Sequence, residues 1–282
     1  MPELPEVETV VRRLAEVLPG KKIKRVRVLR DKSFQGKPKG LVDVAIAEVS
    51  RRAKMIHIHL DTDTDLLVHL KMTGQLVFVG QDTKVGGGHP TGDWIGDLPS
   101  KHTRVVIDFV DGSTLFFNDM RVFGWIRELD QESIEKEFDR YGPDANTDQV
   151  TPEYLEKSMG HRSVAIKQAI MNNALLSGVG NIYASEALFY AGIHPQRQAK
   201  SLTKQEWNKL TKTIKQVIEE GIEAGGTTFD GKYVDADGLA GGYQEKLMVY
   251  GRDGEACQNC GATIEKIKLG GRGTFFCPQC QI

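Results

Sequence analysis

The sequence predicts an α+β protein made of an N-terminal helix, a β-sandwich or barrel, a helical domain and a four-cysteine β-hairpin. Three observations predict this architecture. Short apolar runs with turn signals between them fill 21–129, helix-start signals dominate from 151 onward, and all four cysteines lie within 257–280. Sandwiches and barrels show many short strands at regular spacing. The predicted limits are 1–138 for the sandwich, 139–150 for a polar linker, 151–244 for the helical domain and 245–282 for the hairpin.

The composition excludes a membrane protein. The 282 residues are 40% hydrophobic, and no apolar run approaches the ~20 residues of a membrane span. Acidic residues stand near the N-terminus where a signal peptide carries basic ones, so we expect a cytoplasmic protein. Because the net charge is −1, any nucleic-acid partner must be recognised by local Lys and Arg residues rather than by bulk charge.

An amphipathic helix is predicted near the N-terminus. Its apolar residues recur at helical spacing, and Pro19-Gly20 ends the pattern; they are Val7, Val10, Val11, Leu14 and Leu18. This helix, running from about Pro5 to Leu18, would anchor the residues before it against the core.

Those first residues carry a possible nucleophile. Met1 precedes a small residue, so we expect its removal, which leaves Pro2 as a secondary amine beside the Glu3 carboxylate. An α-amine has a reference pKa near ~8 and can attack a sugar or carbonyl carbon to give a Schiff base. Glu3 can move the protons of such a step. The alternative is that Pro2 and Pro5 only stiffen a helix start.

Eight strands are predicted before the linker, at 21–29, 42–49, 55–60, 66–70, 75–79, 104–110, 113–118 and 122–129. Ile56-His57-Ile58-His59-Leu60 alternates as a half-buried strand should, and Asp111-Gly112 indicates a hairpin turn. The polar stretch 80–101 is predicted to be a long loop.

Helix signals follow the linker. Thr151-Pro152 is typical of an N-cap followed by proline, and Thr203-Lys204-Gln205-Glu206 is a capping box. Gly178-Val179-Gly180-Asn181 predicts a corner before a helix over 181–191, whose N–H groups could bind phosphate. An ordinary capped helix remains the alternative there.

The four cysteines have the spacing of a zinc site. Cys257, Cys260, Cys277 and Cys280 form two CxxC pairs sixteen residues apart. A redox role is disfavoured because no βαβ pattern surrounds them. Strands at 264–269 and 273–276 would be joined by a turn carrying Gly270-Gly271-Arg272, and the arginine could touch phosphate or be a solvated turn residue.

Further candidate residues lie at turns and strand ends. A single basic residue there is usually solvated, and a methionine such as Met72 is more often core filler. The order in which the motifs occur is more informative: Pro2-Glu3-Leu4-Pro5-Glu6, Arg52-Ala53-Lys54, His69-Leu70-x-Met72-x-Gly74, Asn118-Asp119-x-Arg121-x-Phe123-Gly124, Gly178-x-Gly180-Asn181-Ile182-Tyr183 and the cysteine hairpin.

In this order the motifs resemble those of the bacterial formamidopyrimidine-DNA glycosylase family over nearly the whole chain. The resemblance implies a DNA glycosylase and abasic-site lyase of base excision repair that excises 8-oxoguanine and formamidopyrimidines and cuts the strand by β,δ-elimination. It implies a helix-capped antiparallel β-sandwich, a helix–two-turn–helix domain and a zinc finger with one structural zinc ion. It also implies damaged double-stranded DNA as partner. It implies no nucleotide cofactor, and we expect a monomer.

The resemblance also implies residue roles. Pro2 would be the Schiff-base nucleophile, Glu3 the proton donor, Lys54 the β-elimination lysine and Arg272 the δ-elimination arginine. The predicted DNA-binding residues are His69, Met72, His102, Arg121, Phe123, Arg162 and Asn181. Among them Met72, Arg121 and Phe123 would fill the space that a flipped base leaves.

One segment departs from the family pattern. The lesion-capping loop, 225–243, matches at Gly226-Thr227-Thr228 and Asp235-x-Asp237-Gly238, but its end, Leu239-Ala240-Gly241-Gly242-Tyr243, differs. Because the end of this loop differs, the resemblance does not fix the range of lesions that the protein would accept.

Two alternatives are weighed against this function. The sister family, endonuclease VIII, prefers oxidised pyrimidines, but Leu4 and Arg121-Val122-Phe123 disfavour it. A zinc-finger protein that binds damaged DNA without cutting it is disfavoured by the presence of Pro2, Glu3 and Lys54.

Overall fold

The structure, a computed structural model, describes residues 2–88, 97–227 and 241–282. The chain divides into two compact units: Met1–Phe138 with Ala224–Gln244, and Asp139–Glu223 with Glu245–Ile282. The segment 224–244, predicted to lie in the helical domain, thus belongs to the first unit. Most of the predicted lesion-capping loop, from Thr228 to Ala240, lies outside the described residues.

The first unit opens with helix α1, Leu4–Val17, which confirms the predicted N-terminal helix. The described strands that follow are β1 Ile23–Val28, β2 Phe34–Gln35, β3 Ile46–Arg52, β4 Met55–Leu60, β5 Thr64–His69, β6 Gly74–Val79, β7 Lys84–Gly88, β8 Thr103–Phe109, β9 Thr114–Asp119 and β10 Trp125–Asp130. A short helix, α2 Gln131–Phe138, ends this stretch.

Within the described residues these strands form two five-stranded sheets, ordered β1-β8-β9-β6-β7 and β2-β10-β5-β4-β3. Their pairs are antiparallel except for the short parallel pair of β2 and β10. The apolar residues of both inner faces and of α1 form one buried core. Helix α1 packs against β3 and β7, which are edge strands of different sheets. The predicted helix-capped β-sandwich is confirmed.

The prediction of an unstructured loop over 80–101 is wrong for its first part, since Lys84–Gly88 pairs with β6 as strand β7. Three consecutive glycines hide this strand, because glycine has low strand propensity. Their small size is the reason it fits: a Cβ on Gly88, whose φ is +125°, would lie 2.4 Å from the carbonyl oxygen of Gly74. Residues 89–96 of that stretch lie outside the described residues.

The second unit contains four described α-helices and a β-hairpin: α3 Pro152–Met159, α4 Ile166–Ile170, α5 Asn181–Ala191, α6 Lys204–Glu223, β11 Glu265–Leu269 and β12 Arg272–Phe276. Thr151 Oγ1 caps α3 by accepting from the Tyr154 N–H, as predicted. The Thr203 and Glu206 capping box forms at the start of α6.

The segment predicted as a linker, 139–150, is part of this second unit. The Ala145 N–H donates to the Ser177 carbonyl, Ser177 Oγ donates to the Asp144 carboxylate, and Ala145 is fully buried. Among the residues described, no helix is both long enough and apolar enough to cross a membrane.

Candidate functional site

The N-terminus is held by the first turn of α1. Pro2 and Glu3 are buried. Glu3 is the N-cap residue, and its backbone N–H donates to Glu6 Oε2 over 2.8 Å. The Glu3 side chain accepts from the backbone of Glu6, which completes a reciprocal capping box. The predicted nucleophile and proton donor are therefore fixed relative to the helix.

Glu6 also binds the base of the loop that the sequence assigns to lesion capping. Its Oε1 accepts from the Thr227 backbone N–H over 2.9 Å and from the Thr227 hydroxyl over 3.0 Å. Gly226 must be glycine here, because its φ is +86° and a Cβ would lie 3.0 Å from Glu6 Cγ. The contact between Glu6 and Thr227 is not predictable from the sequence pattern.

Lys54 lies in the tight turn between β3 and β4 and is 6% exposed. Arg51, at the end of β3, fixes this turn: its Nε donates to Glu8 Oε2 over 2.7 Å and its Nη1 to the Ala53 carbonyl over 2.9 Å. Burial alone would raise the pKa of Glu8, but hydrogen bonds and charge from Arg51 and Arg12 outweigh it and lower that pKa. The ionised Glu8 thus ties the turn that carries Lys54 to helix α1.

His69 ends β5 as a buried, neutral histidine. Burial first, and then the charges of Lys71, Lys54 and Arg127, lower its pKa to about 3. Its Nδ1 accepts from the Lys71 N–H over 3.1 Å, so the ring proton is assigned to Nε2. The effect of Lys54 on this pKa places the two predicted site residues in one electrostatic environment.

The buried carboxylate of Asp119 connects two loops that are predicted to enter the DNA base stack: the loop of Met72 and the loop of Arg121 and Phe123. These are called the base-stack loops below. Asp119 is fully buried. Its Oδ1 accepts from Thr73 Oγ1 and from the Arg121 N–H, and its Oδ2 accepts from the N–H groups of Phe123 and Gly124. The loop of Met72 and the loop of Arg121 are therefore joined through one side chain. From the sequence alone, Asp119 is recognisable only as part of a motif.

The side chains that these loops present are exposed. Met72 is 38% exposed and Phe123 is 47% exposed, so Met72 is not core filler. The Arg121 guanidinium carbon lies 4.7 Å from the centre of the Phe123 ring, within range of a cation–π contact. His102 lies before β8, where its carbonyl accepts from the Asp119 N–H over 2.8 Å.

Each of these turns contains a left-handed residue that is not glycine. Ala53, Lys71 and Val122 have φ values of 56°, 53° and 55°. They adjoin Lys54, Met72 and Arg121 respectively. A β-branched residue at positive φ is a genuine outlier, and such strain clusters at functional sites.

In the second unit, Asn181 begins α5 and contacts the finger hairpin. Its Nδ2 donates to the Gly273 carbonyl over 3.0 Å, and its Oδ1 is buried without a hydrogen-bond partner in the described part of the chain. The predicted phosphate-binding amide therefore also fixes the start of β12, beside Arg272.

Lys167 was missed by sequence analysis. It is 1% exposed, and its Nζ donates to Ser185 Oγ over 2.9 Å and to Thr274 Oγ1 over 3.0 Å. A lysine is rarely buried so completely. Its bonds join α4 to α5 and β12, which begin with the predicted phosphate-contacting residues Asn181 and Arg272.

Arg272 is exposed and is the first residue of β12, opposite Leu269. The two-residue turn before it has positive φ at Gly270 and Gly271, as tight hairpins require. A Cβ on Gly270 would lie 2.6 Å from Gln168 Nε2, so this tip sits against α4. Arg162 follows α3, and its Nε donates to the Ser158 carbonyl over 3.1 Å.

The four cysteines converge. Their sulfur atoms lie within 4.8 Å of one another, with 3.9 Å between Cys257 and Cys280 and 3.4 Å between Cys260 and Cys277. A tetrahedral zinc with Zn–S bonds of about 2.3 Å needs sulfur separations of about 3.8 Å. Burial would raise the pKa of Cys257, but N–H groups of Asn259 and Cys260 lower it to about 7, whereas the pKa values of Cys260, Cys277 and Cys280 are raised. The fit to zinc therefore depends on the convergence of the four sulfur atoms. The residues thus fit zinc.

Comparisons with known proteins cover the whole chain. Three family models match: the formamidopyrimidine-DNA glycosylase N-terminal domain at 1–126, its H2TH domain at 141–232, and the zinc finger found in FPG and IleRS at 254–282. Formamidopyrimidine-DNA glycosylases of Pelotomaculum thermopropionicum and of an Exiguobacterium species are 40% and 41% identical, over 100% of this chain and 99% of each relative.

The chain belongs to the formamidopyrimidine-DNA glycosylase family. The fold agrees with this assignment: a solved complex between Lactococcus lactis Fpg and DNA containing an abasic site has a TM-score of 0.86 and 30% identity, with 99% of both chains covered. A complex of the same protein with DNA containing an oxidised pyrimidine also scores 0.86, at 31% identity. The family recognised from the order of the motifs is thereby confirmed.

Proposed function

We propose that this member of the formamidopyrimidine-DNA glycosylase family excises oxidised purines from duplex DNA and then cleaves the abasic strand. The observation that carries the proposal is the N-terminus, where Pro2 and Glu3 are buried and Glu3 is hydrogen-bonded to Glu6. The entropy cost of orienting the reactants is a large part of the barrier to a bimolecular reaction. An amine that is already held in place avoids much of this cost.

The proposed reaction begins at the sugar. The Pro2 nitrogen attacks C1′ of the damaged nucleotide and the bond from C1′ to the base breaks. The base leaves with its electron pair and takes up the proton that the Pro2 nitrogen loses. In the same step Glu3 delivers a proton to O4′, so that the sugar ring opens to the Schiff base and base release depends on this proton.

Strand cleavage follows from the charge on the Schiff base. The iminium makes the C2′ hydrogens acidic, and loss of one of them expels the 3′ phosphate by β-elimination. A second elimination expels the 5′ phosphate. We assign Lys54 to the first step and Arg272 to the second, because both are cationic residues at tight turns and each can stabilise a departing phosphate.

DNA binding is proposed to use both units. In the first, Met72, Arg121 and Phe123 would enter the base stack, with His69 and His102 at the ends of the flanking strands. In the second, Arg162 and Asn181 would contact phosphates. Damaged duplex DNA as the partner is supported by the solved complexes of Lactococcus lactis Fpg with DNA that contains an abasic site or Fapy-dG.

The reaction is tested with a duplex carrying 8-oxoguanine opposite cytosine. We expect the wild-type protein to release the base and nick the strand. Glu3→Gln should lose base release while still binding an abasic duplex, and Glu16→Gln, an exposed change on the same helix, should match the wild type. Unchanged base release by Glu3→Gln would refute its role, and faster release from an oxidised-pyrimidine duplex would favour that substrate class.

We further propose that Cys257, Cys260, Cys277 and Cys280 hold one structural zinc ion per chain. A finger this small buries little core, so metal binding supplies folding free energy. Cys260→Ser should unfold the finger, displace Arg272 and weaken DNA binding, with the near-UV signal of the sandwich retained. Elemental analysis that finds fully active protein without zinc would contradict the site.

A further inference from the structure

A second cluster of metal-binding side chains lies on the sandwich, apart from the finger cysteines. His57, His59 and Asp65 each offer one ligand atom, and these atoms lie within 4.8 Å of one another. His57 and His59 alternate along β4, so both imidazoles stand on the same face of the sheet. Asp65 reaches them from the neighbouring strand, β5.

The carboxylate is aimed at both rings. Asp65 Oδ2 lies 2.7 Å from His57 Nε2 and 3.3 Å from His59 Nδ1. Its other oxygen, Oδ1, accepts from the Leu60 N–H over 2.8 Å, which fixes the rotation of the group. One anionic oxygen therefore converges with two ring nitrogens.

The two rings are held by their surroundings. The His57 ring packs edge-on against Phe138 at 5.8 Å and lies 3.7 Å from the His59 ring, centre to centre. His59 Nε2 is 2.8 Å from Ser50 Oγ on β3. A histidine that ligates a metal through one nitrogen usually bonds a hydroxyl, carbonyl or carboxylate through the other.

We propose that His57, His59 and Asp65 form a binding site for a divalent late transition metal such as Zn²⁺, Ni²⁺ or Cu²⁺. Imidazole and carboxylate suit these ions. On binding, His59 would ligate through Nδ1 and donate its Nε2 proton to Ser50, while His57 would ligate through Nε2 with its proton on Nδ1. Solvent completes the coordination, because the His59 side chain is 32% exposed.

A bound metal ion would connect three neighbouring strands. Ser50 lies on β3, the two histidines on β4 and the aspartate on β5. The turn between β3 and β4 carries Lys54, so an occupied site would stabilise the hairpin that presents this lysine. A ligand that binds only the folded state raises the melting temperature.

The test is calorimetric titration of protein whose finger is already loaded, with Zn²⁺ as the probe. We expect a second equivalent to bind wild-type protein and raise its melting temperature. Asp65→Asn, which keeps an oxygen for the Leu60 N–H, and His59→Asn should each weaken this equivalent at least tenfold. His161→Asn, which alters an exposed histidine of the second unit, should not.

The finger and the fold serve as internal controls. Elemental analysis before titration should find the same finger zinc in all four proteins, and circular dichroism should find the same fold. The proposal is overturned if wild-type protein takes up no second equivalent, or if both variants bind it as the wild type does. In either case the cluster is a hydrogen-bonded triad only.

Discussion

Glu6 in the first turn of α1 accepts two hydrogen bonds from Thr227, which follows it by 221 positions. The other oxygen of the same carboxylate accepts from the Glu3 N–H. One buried side chain thus fixes both the residue next to the proposed nucleophile and the base of the proposed lesion-capping loop. Displacing either is expected to disturb the other.

Replacing Glu6 with glutamine tests this connection. The glutamine amide has one acceptor oxygen, whereas the Glu6 carboxylate has two. Its NH₂ group would therefore face either the Glu3 N–H or the donors of Thr227. Glu6→Gln should lower the free energy of unfolding by about 1–3 kcal/mol, the cost of leaving buried polar groups unpaired. Chemical denaturation measures it, with Glu16→Gln on the exposed face as control. Equal stability of the two variants would show that the Thr227 contact contributes nothing.

Asp119→Asn tests the carboxylate that joins the two base-stack loops. Asp119 accepts from three backbone N–H groups and from Thr73, and asparagine would place an NH₂ against some of them. We expect a loss of about 2 kcal/mol in unfolding free energy and reduced discrimination of the base opposite the lesion. Asp82→Asn, an exposed change in the same unit, is the control. A variant that keeps both stability and discrimination would rule out this positioning role.

Arg121→Ala tests whether Arg121 contacts the base opposite the lesion. An extruded lesion leaves a cytosine whose O2 and N3 are acceptors for the paired donors of a guanidinium. Losing a base contact costs on the order of 1–3 kcal/mol and relaxes specificity, whereas losing a phosphate contact weakens all duplexes alike. We expect Arg121→Ala to prefer lesions opposite cytosine over lesions opposite adenine less strongly than the wild type does. The control variant Arg30→Ala should keep the wild-type preference. An unchanged preference ratio would make Arg121 a phosphate contact.

His69 predicts a pH dependence of stability. Its folded pKa of about 3 lies below the unfolded value near ~6.5, so the unfolded state binds the extra proton between these values. The contribution is fully present above the unfolded pKa and is lost as the pH falls towards 3, by about 1.4 kcal/mol per unit. His69→Gln should therefore flatten the loss of stability between pH 7 and pH 5, by about 2 kcal/mol. His161→Gln should leave the slope unchanged; if both variants behave alike, His69 is not neutral in the fold.

Periodicity predicted much of this fold. Helix α1, eight of the ten described strands of the sandwich and the caps at Thr151 and Thr203 were predicted because local spacing and capping decide them. The two-residue strand β2 is too short to show a pattern. Strand β7 was missed because its glycines are selected by the close approach of β6, which is a tertiary effect. Strand β10 begins at Trp125 rather than near Val122, because Asp119 holds the preceding residues in a loop.

The candidate site was only partly accessible from the sequence. Its cationic, aromatic and nucleophilic residues carry recognisable chemistry in ordered motifs. The residues that position them do not: Asp119, Lys167 and the pair of Glu6 and Thr227 act through contacts between distant segments. The sequence shows Asp119 as an acidic residue before a turn and Lys167 as a lysine within an apolar run. Neither pattern indicates which residue is the partner.

The central claim is that the amine of Pro2 attacks the sugar. The most direct measurement is borohydride reduction of the protein with a duplex containing 8-oxoguanine, followed by proteolysis and mass spectrometry of the adduct. The account predicts that the sugar is attached to the N-terminal peptide at Pro2, and that protein retaining Met1 gives no adduct. An adduct mapped to Lys54, or equal trapping by protein that retains Met1, would contradict it.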